Sequence, residues 1–436
     1  MTRAGLAEQL ATQPLTTEPN LTQYEWAGTT LQRLFGARHP IAESWAFFSG
    51  PSKPATIAGA GGLTMEALVA QAPQVLGPAG ADPEHHGQKY FFVKFLDPSG
   101  FPPFAYVGLR PEAVAEARRP LRPYLAELLW QDRQALGQLA ELLRPHLTSE
   151  QAVRRFQAAY TSWAIAQAQR DWMGEAPQAI SGCVPLAARA AVEASLAAQQ
   201  RRRRTLTGLM HCIPFSQDEA ILIETPTLHA IAGLSLQIHP NAPGNCHPKD
   251  ELWIFRRVPL PGGAAGWILV EPQRTFDKTE SGADFFTPFA WERDGLGFRK
   301  AITRASLDEF VSLMDATAHP QAHYLRRAQP MAVAGGTIRG QAQWVRLVEE
   351  PGWPYFLARE LVFGGPGEAT MPLSHRCFIE LHATEGAVTV RLTGADASAH
   401  ETVVTPTRPV FLPASLPCDM LTCRADTPAR LQFFTR

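Results

Sequence analysis

A mainly β protein carrying a block of long helices is the fold class this sequence predicts, and three observations predict it. Short apolar runs broken by Gly and Pro fill the chain before about residue 110 and again after about residue 205. Between them leucines recur at three- and four-residue steps, the period of an amphipathic helix. Proline, at 37 of 436 residues, exceeds the ~5% norm, which suits short strands and turns better than a helical chain.

The elements follow in order. Thr64, ahead of Met65 to Val69, reads as the N-cap of a short helix. The aromatic-rich run Tyr90 to Leu96 is a strand closed by the turn Asp97-Pro98-Ser99-Gly100, and Phe104 to Leu109 is the next. Leu121, Leu125, Leu128, Leu129, Leu136, Leu139, Leu142 and Leu143 then form a helical stripe that Pro145 ends. Ser149-Glu150 restarts a helix containing Phe156, Tyr160, Trp163 and Ile165, and an alanine-rich third runs from about Leu186 to Arg203. Such stripes are core packing, and the block reads as an insertion or a flanking bundle. Strands return at Ala220–Ile223, Leu234–His239, Leu252–Phe255 and Trp267–Val270. The tail repeats the look at Tyr355–Phe363, Cys377–His382, Ala387–Leu392, Val410–Leu412 and Arg430–Phe434. Strands at ~10-residue spacing with no helix between them point to a sandwich or barrel.

Charge and composition exclude several functions. Forty basic and forty-one acidic residues give a net charge of −1, without the basic excess of a nucleic-acid or anionic-membrane binder. No stretch approaches the ~20 apolar residues of a membrane span, and the N-terminus lacks the apolar core of a signal peptide. The six cysteines form no CxxC pair, and in a chain this long they read as buried thiols of a reducing compartment. The expectation is a cytoplasmic protein.

Chemistry concentrates between residues 211 and 300, which hold His211, His229, His239 and His247. Gln237 and His239 fall on one face of their strand, because side chains alternate with period two. Glu251 opens the strand that follows. Imidazole nitrogen with carboxylate and amide oxygen suits a borderline divalent ion such as zinc with an open position. Spacing alone leaves unconnected polar residues as the competing reading.

Two stretches carry a family resemblance. Leu234-Ser235-Leu236-Gln237-Ile238-His239-Pro240-Asn241 resembles the leucine–serine–x–glutamine–x–histidine–proline signature of type I mannose-6-phosphate isomerases, and His247-Pro248-Lys249-Asp250-Glu251-Leu252-Trp253 is similar to the family's following segment. The resemblance implies that Gln237, His239 and Glu251 bind zinc, or another divalent metal, and that Lys249 is the active-site lysine. Gly266 to Asp277, Glu43-Ser44-Trp45 and Val93-Lys94-Phe95-Leu96-Asp97 are further matches. Asp218 to Ile231 looks like the family's strand–turn–histidine motif, which would make His229 the last ligand.

The chain also departs from the family. About 140 residues separate Asp97 from Gln237, whereas the family runs directly from one motif to the next. His229 precedes Gln237 instead of following the glutamate, so it is either a rearranged ligand or a chance match. Where the family places an arginine after the aspartate matching Asp277, this chain has Lys278-Thr279-Glu280. Arg274 and Lys278 are the candidates to replace that arginine. Ser235 shares the face of Gln237 and is a candidate phosphate donor, and Arg299-Lys300 is a second possible phosphate contact. Glu271 is either a general base or a buried, paired carboxylate. His211 and His247 read as loop histidines.

The resemblance implies two cupin-type jelly rolls with an inserted α-helical block. Residues 1–110 would give strands to the first jelly roll, 111–205 the helices, 206–334 the metal-site part of the first, and 335–436 the second. The implied activity is metal-dependent interconversion of mannose 6-phosphate and fructose 6-phosphate. The alternatives are a cupin acting on another sugar phosphate and a non-catalytic sugar-binding cupin. The expected partner is a small sugar phosphate, with neither nucleic acid nor membrane.

Overall fold

The computed structural model describes residues 3–24, 26–47, 54–80, 92–173, 183–231, 235–239, 251–273, 280–292, 295–348, 357–374, 377–394 and 399–435. The protein is mainly β, in four successive layers: helices, a five-stranded sheet, a seven-stranded sheet and a large curled C-terminal sheet.

The helical layer rests on the stripes read in the sequence. The helix Leu121–Leu143 buries Leu125, Leu128, Leu129, Leu136, Leu139 and Leu143, while Leu142 turns outward at 39% exposure. It packs on the helix Leu186–Thr207, and Glu150–Met173 adds Phe156, Tyr160 and Trp163 to the same core. This block sits between adjacent strands. The chain leaves the sheet at the end of Phe104–Leu109 and returns as Met210–Pro214, antiparallel to the strand it left. An excursion of about a hundred residues therefore leaves the strand pairing intact. Among the described residues no helix is long and apolar enough to cross a membrane.

In the five-stranded sheet the order is Glu280–Asp284, Ser235–Ile238, His229–Ile231, Phe104–Leu109, Met210–Pro214. The seven-stranded sheet runs Leu325–Arg327, Glu219–Ile223, Glu251–Pro259, Ala265–Gln273, Phe92–Leu96, Glu43–Trp45, Asn20–Thr22. Val107, Ile213, Ile221, Trp253, Phe255 and Leu269 fill the space between these two sheets. The strand period places Leu252, Ile254 and Val258 on the other face, against Phe434, Phe411 and Ala358 of the C-terminal sheet. That last sheet is organised by the strand Leu357–Pro372. It pairs along one edge with Thr337–Val348 and along the other with Ala429–Thr435 and then Met420–Ala425. The resulting curl encloses a separate core around Trp344, Leu361, Leu381 and Phe433. Two short N-terminal strands, Leu15–Glu18 and Thr56–Ile57, extend its edge beyond Val410–Leu412.

Local signals hold where they were specific. Thr64 caps the helix Met65–Gln71, its Oγ1 accepting from the Ala67 amide at 3.1 Å. The aromatic run gives the strand Phe92–Leu96, and the Asp97 side chain accepts from Ser99 N at 2.9 Å to close it. Cys183, Cys212, Cys377, Cys418 and Cys423 form no disulfide among the described residues.

Gly108 bends the strand Phe104–Leu109 at a register shift, with φ of +58° and its amide donating to Leu228 O at 2.7 Å. A Cβ there would collide with the buried Tyr324 ring. Gly108→Ala is expected to destabilise the fold by about 2 kcal/mol or more, through left-handed strain plus ring displacement. Equilibrium urea unfolding checks it, and a change within ~0.5 kcal/mol would show that the strand relaxes freely.

Candidate metal centre

Register brings the candidate ligands together. In the five-stranded sheet Ser281 pairs with Gln237, Gln237 with His229, His229 with Val107, and Val107 with His211. Side chains at directly paired positions share a face, so this row points into the space between the two sheets. His239 lies two residues beyond Gln237 and shares its side of the strand. Glu251, at the start of the facing strand, closes the cluster.

The geometry suits one ion. His239 Nε2 lies 3.2 Å from Glu251 Oε1, and His229 Nε2 lies 3.7 Å from the same oxygen. All three side chains are buried, and their ligand atoms lie within 4.8 Å of one another. Ligand atoms around a tetrahedral zinc stand about 3.3 Å apart, so small side-chain adjustments would complete the set. His229 is also oriented from behind. Its Nδ1–H donates to Thr227 O at 2.9 Å, which leaves Nε2 as the lone pair aimed at the cluster. The His229 ring stands edge-on to Trp253 at 5.5 Å and 4.7 Å from the His239 ring, which fixes it sterically.

A cavity of about 440 Å³ opens over this cluster. The seven-stranded sheet supplies its opposite wall through another row, Trp45 paired with Lys94 and Lys94 paired with Glu271. Lys94 Nζ lies 3.1 Å from Glu271 Oε1 and 4.9 Å from the Trp45 ring centre. Trp45 Nε1 donates to Glu43 Oε2 at 2.8 Å. The third wall is polar and nearer solvent. Lys300 Nζ donates to Ser281 Oγ at 2.9 Å, and Ser281 Oγ is 3.2 Å from Ser235 Oγ. Tyr24, Trp26 and Phe101 line the cavity as an aromatic side, with Tyr24 stacked on Trp26 at 5.5 Å.

The charges favour a cation. Burial alone would push the Glu251 carboxyl up, but the charge and hydrogen bond of His239, with the charge of His229, hold it well below the usual range. Burial works against the Lys94 ammonium, yet Glu271, Glu43 and Glu251 outweigh it and keep its pKa above the ordinary lysine value. Lys94 is therefore a cation through the neutral range and a hydrogen-bond donor, not a base. A divalent ion would take over the countercharge that His239 and His229 give Glu251, because histidines are neutral when they ligate a metal. The residues present thus fit a divalent metal.

Of the residues singled out in the sequence, His229, Gln237, His239, Glu251, Ser235 and Glu271 converge on this cavity. Gln237 is half-buried beside His229. His247, Lys249, Arg274 and Lys278 lie outside the described residues. His211 shares the row of His229 but stands two strands away, its Nε2 bonded to His319 O at 2.8 Å. Arg299 points to Thr287 Oγ1 at 3.3 Å and does not line the cavity, whereas Lys300 does. Sequence reasoning gave no role to Lys94, Glu43 or Trp45. Their motifs were visible, but nothing local says that strands about fifty residues apart lie side by side.

No family model matches the chain, and no curated protein matches it. Solved structures do. An arginine-to-alanine variant of phosphomannose isomerase from Salmonella typhimurium aligns over 97% of this chain and 99% of its own, with 12% identity and a TM-score of 0.50. The chain has the phosphomannose isomerase fold. A glutamate-to-alanine variant of the same enzyme aligns over 96% and 99%, with 12% identity and a TM-score of 0.49. A zinc-bound mannose 6-phosphate isomerase aligns over 96% and 99%, with 13% identity and a TM-score of 0.47. At this identity the likeness shows the phosphomannose isomerase fold alone, and the chemistry has to be argued from the residues of this chain.

Proposed function

We propose that the protein is a metal-dependent aldose–ketose isomerase that interconverts mannose 6-phosphate and fructose 6-phosphate. The observation that carries this reading is the buried His229, His239 and Glu251 cluster beneath a cavity whose facing wall holds a Lys94–Glu271 pair. His229, His239, Glu251 and Gln237 would hold zinc or another divalent ion. Such an ion, when bound, acts as a Lewis acid on the substrate carbonyl.

This chain's own residues do the rest. Glu271 takes the proton from C2 of the aldose and returns it to C1, while the hydroxyl proton passes from O2 to O1. Lys94, held protonated, donates a hydrogen bond to the oxygen on which charge develops. Lys300, Ser281 and Ser235 receive the phosphate at the polar wall. Lys249, Arg274 and Lys278 remain candidates for further cationic contacts with the substrate. Two cupin-type jelly rolls, 1–110 with 206–334 and 335–436, with helices at 111–205, belong to the same proposal, with the correction that the strands Leu15–Glu18 and Thr56–Ile57 join the second, as does a cytoplasmic location.

The test is isomerisation of mannose 6-phosphate by chelator-stripped protein, with and without added zinc. Zinc-dependent turnover is the expected result. No turnover with zinc demonstrably bound would favour the second reading, a cupin that acts on another sugar phosphate or only binds sugars. The changed stretch at Lys278-Thr279-Glu280 is the observation on that side.

Lys300→Ala is expected to raise KM about tenfold with a smaller change in kcat, because an exposed cation contributes mainly uniform binding. Weakened competition by inorganic phosphate in the variant would confirm the contact. An unchanged KM would move the phosphate elsewhere in the cavity.

A further inference from the structure

Another buried row of polar side chains lies outside the cavity, between the seven-stranded sheet and the C-terminal sheet. Glu360 pairs with Gln432, and Gln432 with His382, across three adjacent strands. Glu380 is two residues from His382 on the same strand face, opposite Phe434. None of Glu360, Glu380, His382 and Gln432 is more than 1% exposed.

Their partners are unevenly distributed. Glu360 is fully engaged. It accepts from Arg256 Nε at 2.9 Å, Arg256 Nη2 at 3.2 Å, Arg430 Nη1 at 3.1 Å and Gln432 Nε2 at 3.4 Å. The last bond turns the Gln432 amide so that its oxygen is left over. Among the described residues Gln432 Oε1 has no hydrogen-bond partner, and neither do Glu380 Oε1 and Oε2, His382 Nε2, or Thr384 Oγ1 in the adjoining bulge. Buried polar groups are paired in the great majority of cases, and each one left unpaired costs roughly 1–3 kcal/mol. Here five such atoms share one face.

Their chemistry says what would satisfy them. The Gln432 oxygen can only accept, and His382 Nε2 and Thr384 Oγ1 can each present a lone pair; Glu380 accepts through both oxygens when ionised and donates one O–H in the neutral form that burial favours. Arg256 and Arg430 are both engaged by Glu360, and among the described residues no cation is bonded to Glu380. The neutral acid supplies a single proton, whereas a bound cation would displace that proton and be met by the carboxylate, the imidazole and the amide oxygen together. Phe47 stands edge-on to His382 at 4.9 Å and Phe95 lies at 4.8 Å, which seals the row from solvent. Burial with no countercharge also drives the Glu380 carboxyl well above its ordinary range.

We propose that Glu380, His382 and Gln432 form a second, buried divalent-cation site between the two sheets. Glu380 is its charged ligand, and His382 Nε2 and Gln432 Oε1 are its neutral ones. Cross-strand Cβ atoms stand about 5 Å apart and same-face neighbours about 6.6 Å, so these side chains can converge on one ion at ~2 Å. Mixed nitrogen and oxygen donors favour an ion of the zinc class. Phe95 touches His382 while Lys94 faces the cavity, so the two sites lie on opposite sides of one strand.

Metal content of the protein as expressed, purified without chelator, tests the proposal. The wild type should carry about two ions per chain, and Glu380→Gln and His239→Ala about one each. One ion in the wild type, lost in His239→Ala and kept in Glu380→Gln, would overturn it and leave internal waters to satisfy the row. Two ions in Glu380→Gln would overturn it as well. Should that variant fail to fold, anomalous diffraction at the metal edge from wild-type crystals decides by whether a peak stands beside His382. Absence of isomerase activity would not touch this count, so the two readings fail separately.

Discussion

Glu251→Ala is expected to lower zinc affinity by more than a hundredfold and to cut metal-dependent isomerisation to the background rate. The carboxylate is the charged member of the cluster and the one oxygen that both histidines approach, at 3.2 and 3.7 Å. Without it the cluster keeps two buried imidazoles and no carboxylate among them. Competition with a chromophoric chelator measures the affinity, and turnover with zinc in excess measures the rate. Glu251→Gln separates shape from charge, because it keeps the volume and an oxygen donor while removing the negative charge. Metal-dependent turnover that is unchanged in Glu251→Ala would rule out this cluster as the catalytic centre.

The second large effect concerns stability. Glu360→Ala should cost about 3–5 kcal/mol, because it strands the Arg256 guanidinium in the contact between two sheets. Both partners are 1% exposed, and Arg256 makes two bonds to Glu360, so no solvent is at hand to compensate. Burying the pair is itself expensive, however. The double replacement Arg256→Met with Glu360→Leu should recover most of the loss. Denaturant unfolding of the single and double variants forms the check. A loss below ~1 kcal/mol in Glu360→Ala would mean that Gln432 turns its Oε1 to accept from the guanidinium, against this account.

Legibility in the sequence followed the range of each interaction. The leucine stripe of Leu121–Leu143 was readable because helical packing repeats every three or four residues, and six of its eight leucines are buried. Gln237 and His239 were readable as a pair because strand alternation is local. His229 was ambiguous in sequence, lying on the wrong side of Gln237, and the pairing of its strand with that of Gln237 removes the difficulty. Lys300 and Arg299 are adjacent in the chain and equal in charge, yet only Lys300 lines the cavity, because the two side chains diverge.

The sequence by itself determined the class of each segment, the break from strand to helix near residue 111 and back near 205, and the residue types able to bind a metal. Those follow from periodicity, turn chemistry and donor atoms, which act over a few residues. The tertiary structure alone decided which of them meet. It set Lys94 beside Glu271, carried His229 to Glu251, and stacked the C-terminal sheet so that Glu380 and His382 are buried against Phe47 and Phe95. Strand pairing and sheet stacking join residues tens to hundreds of positions apart. Their energies depend on the burial of whole faces, which local sequence does not record.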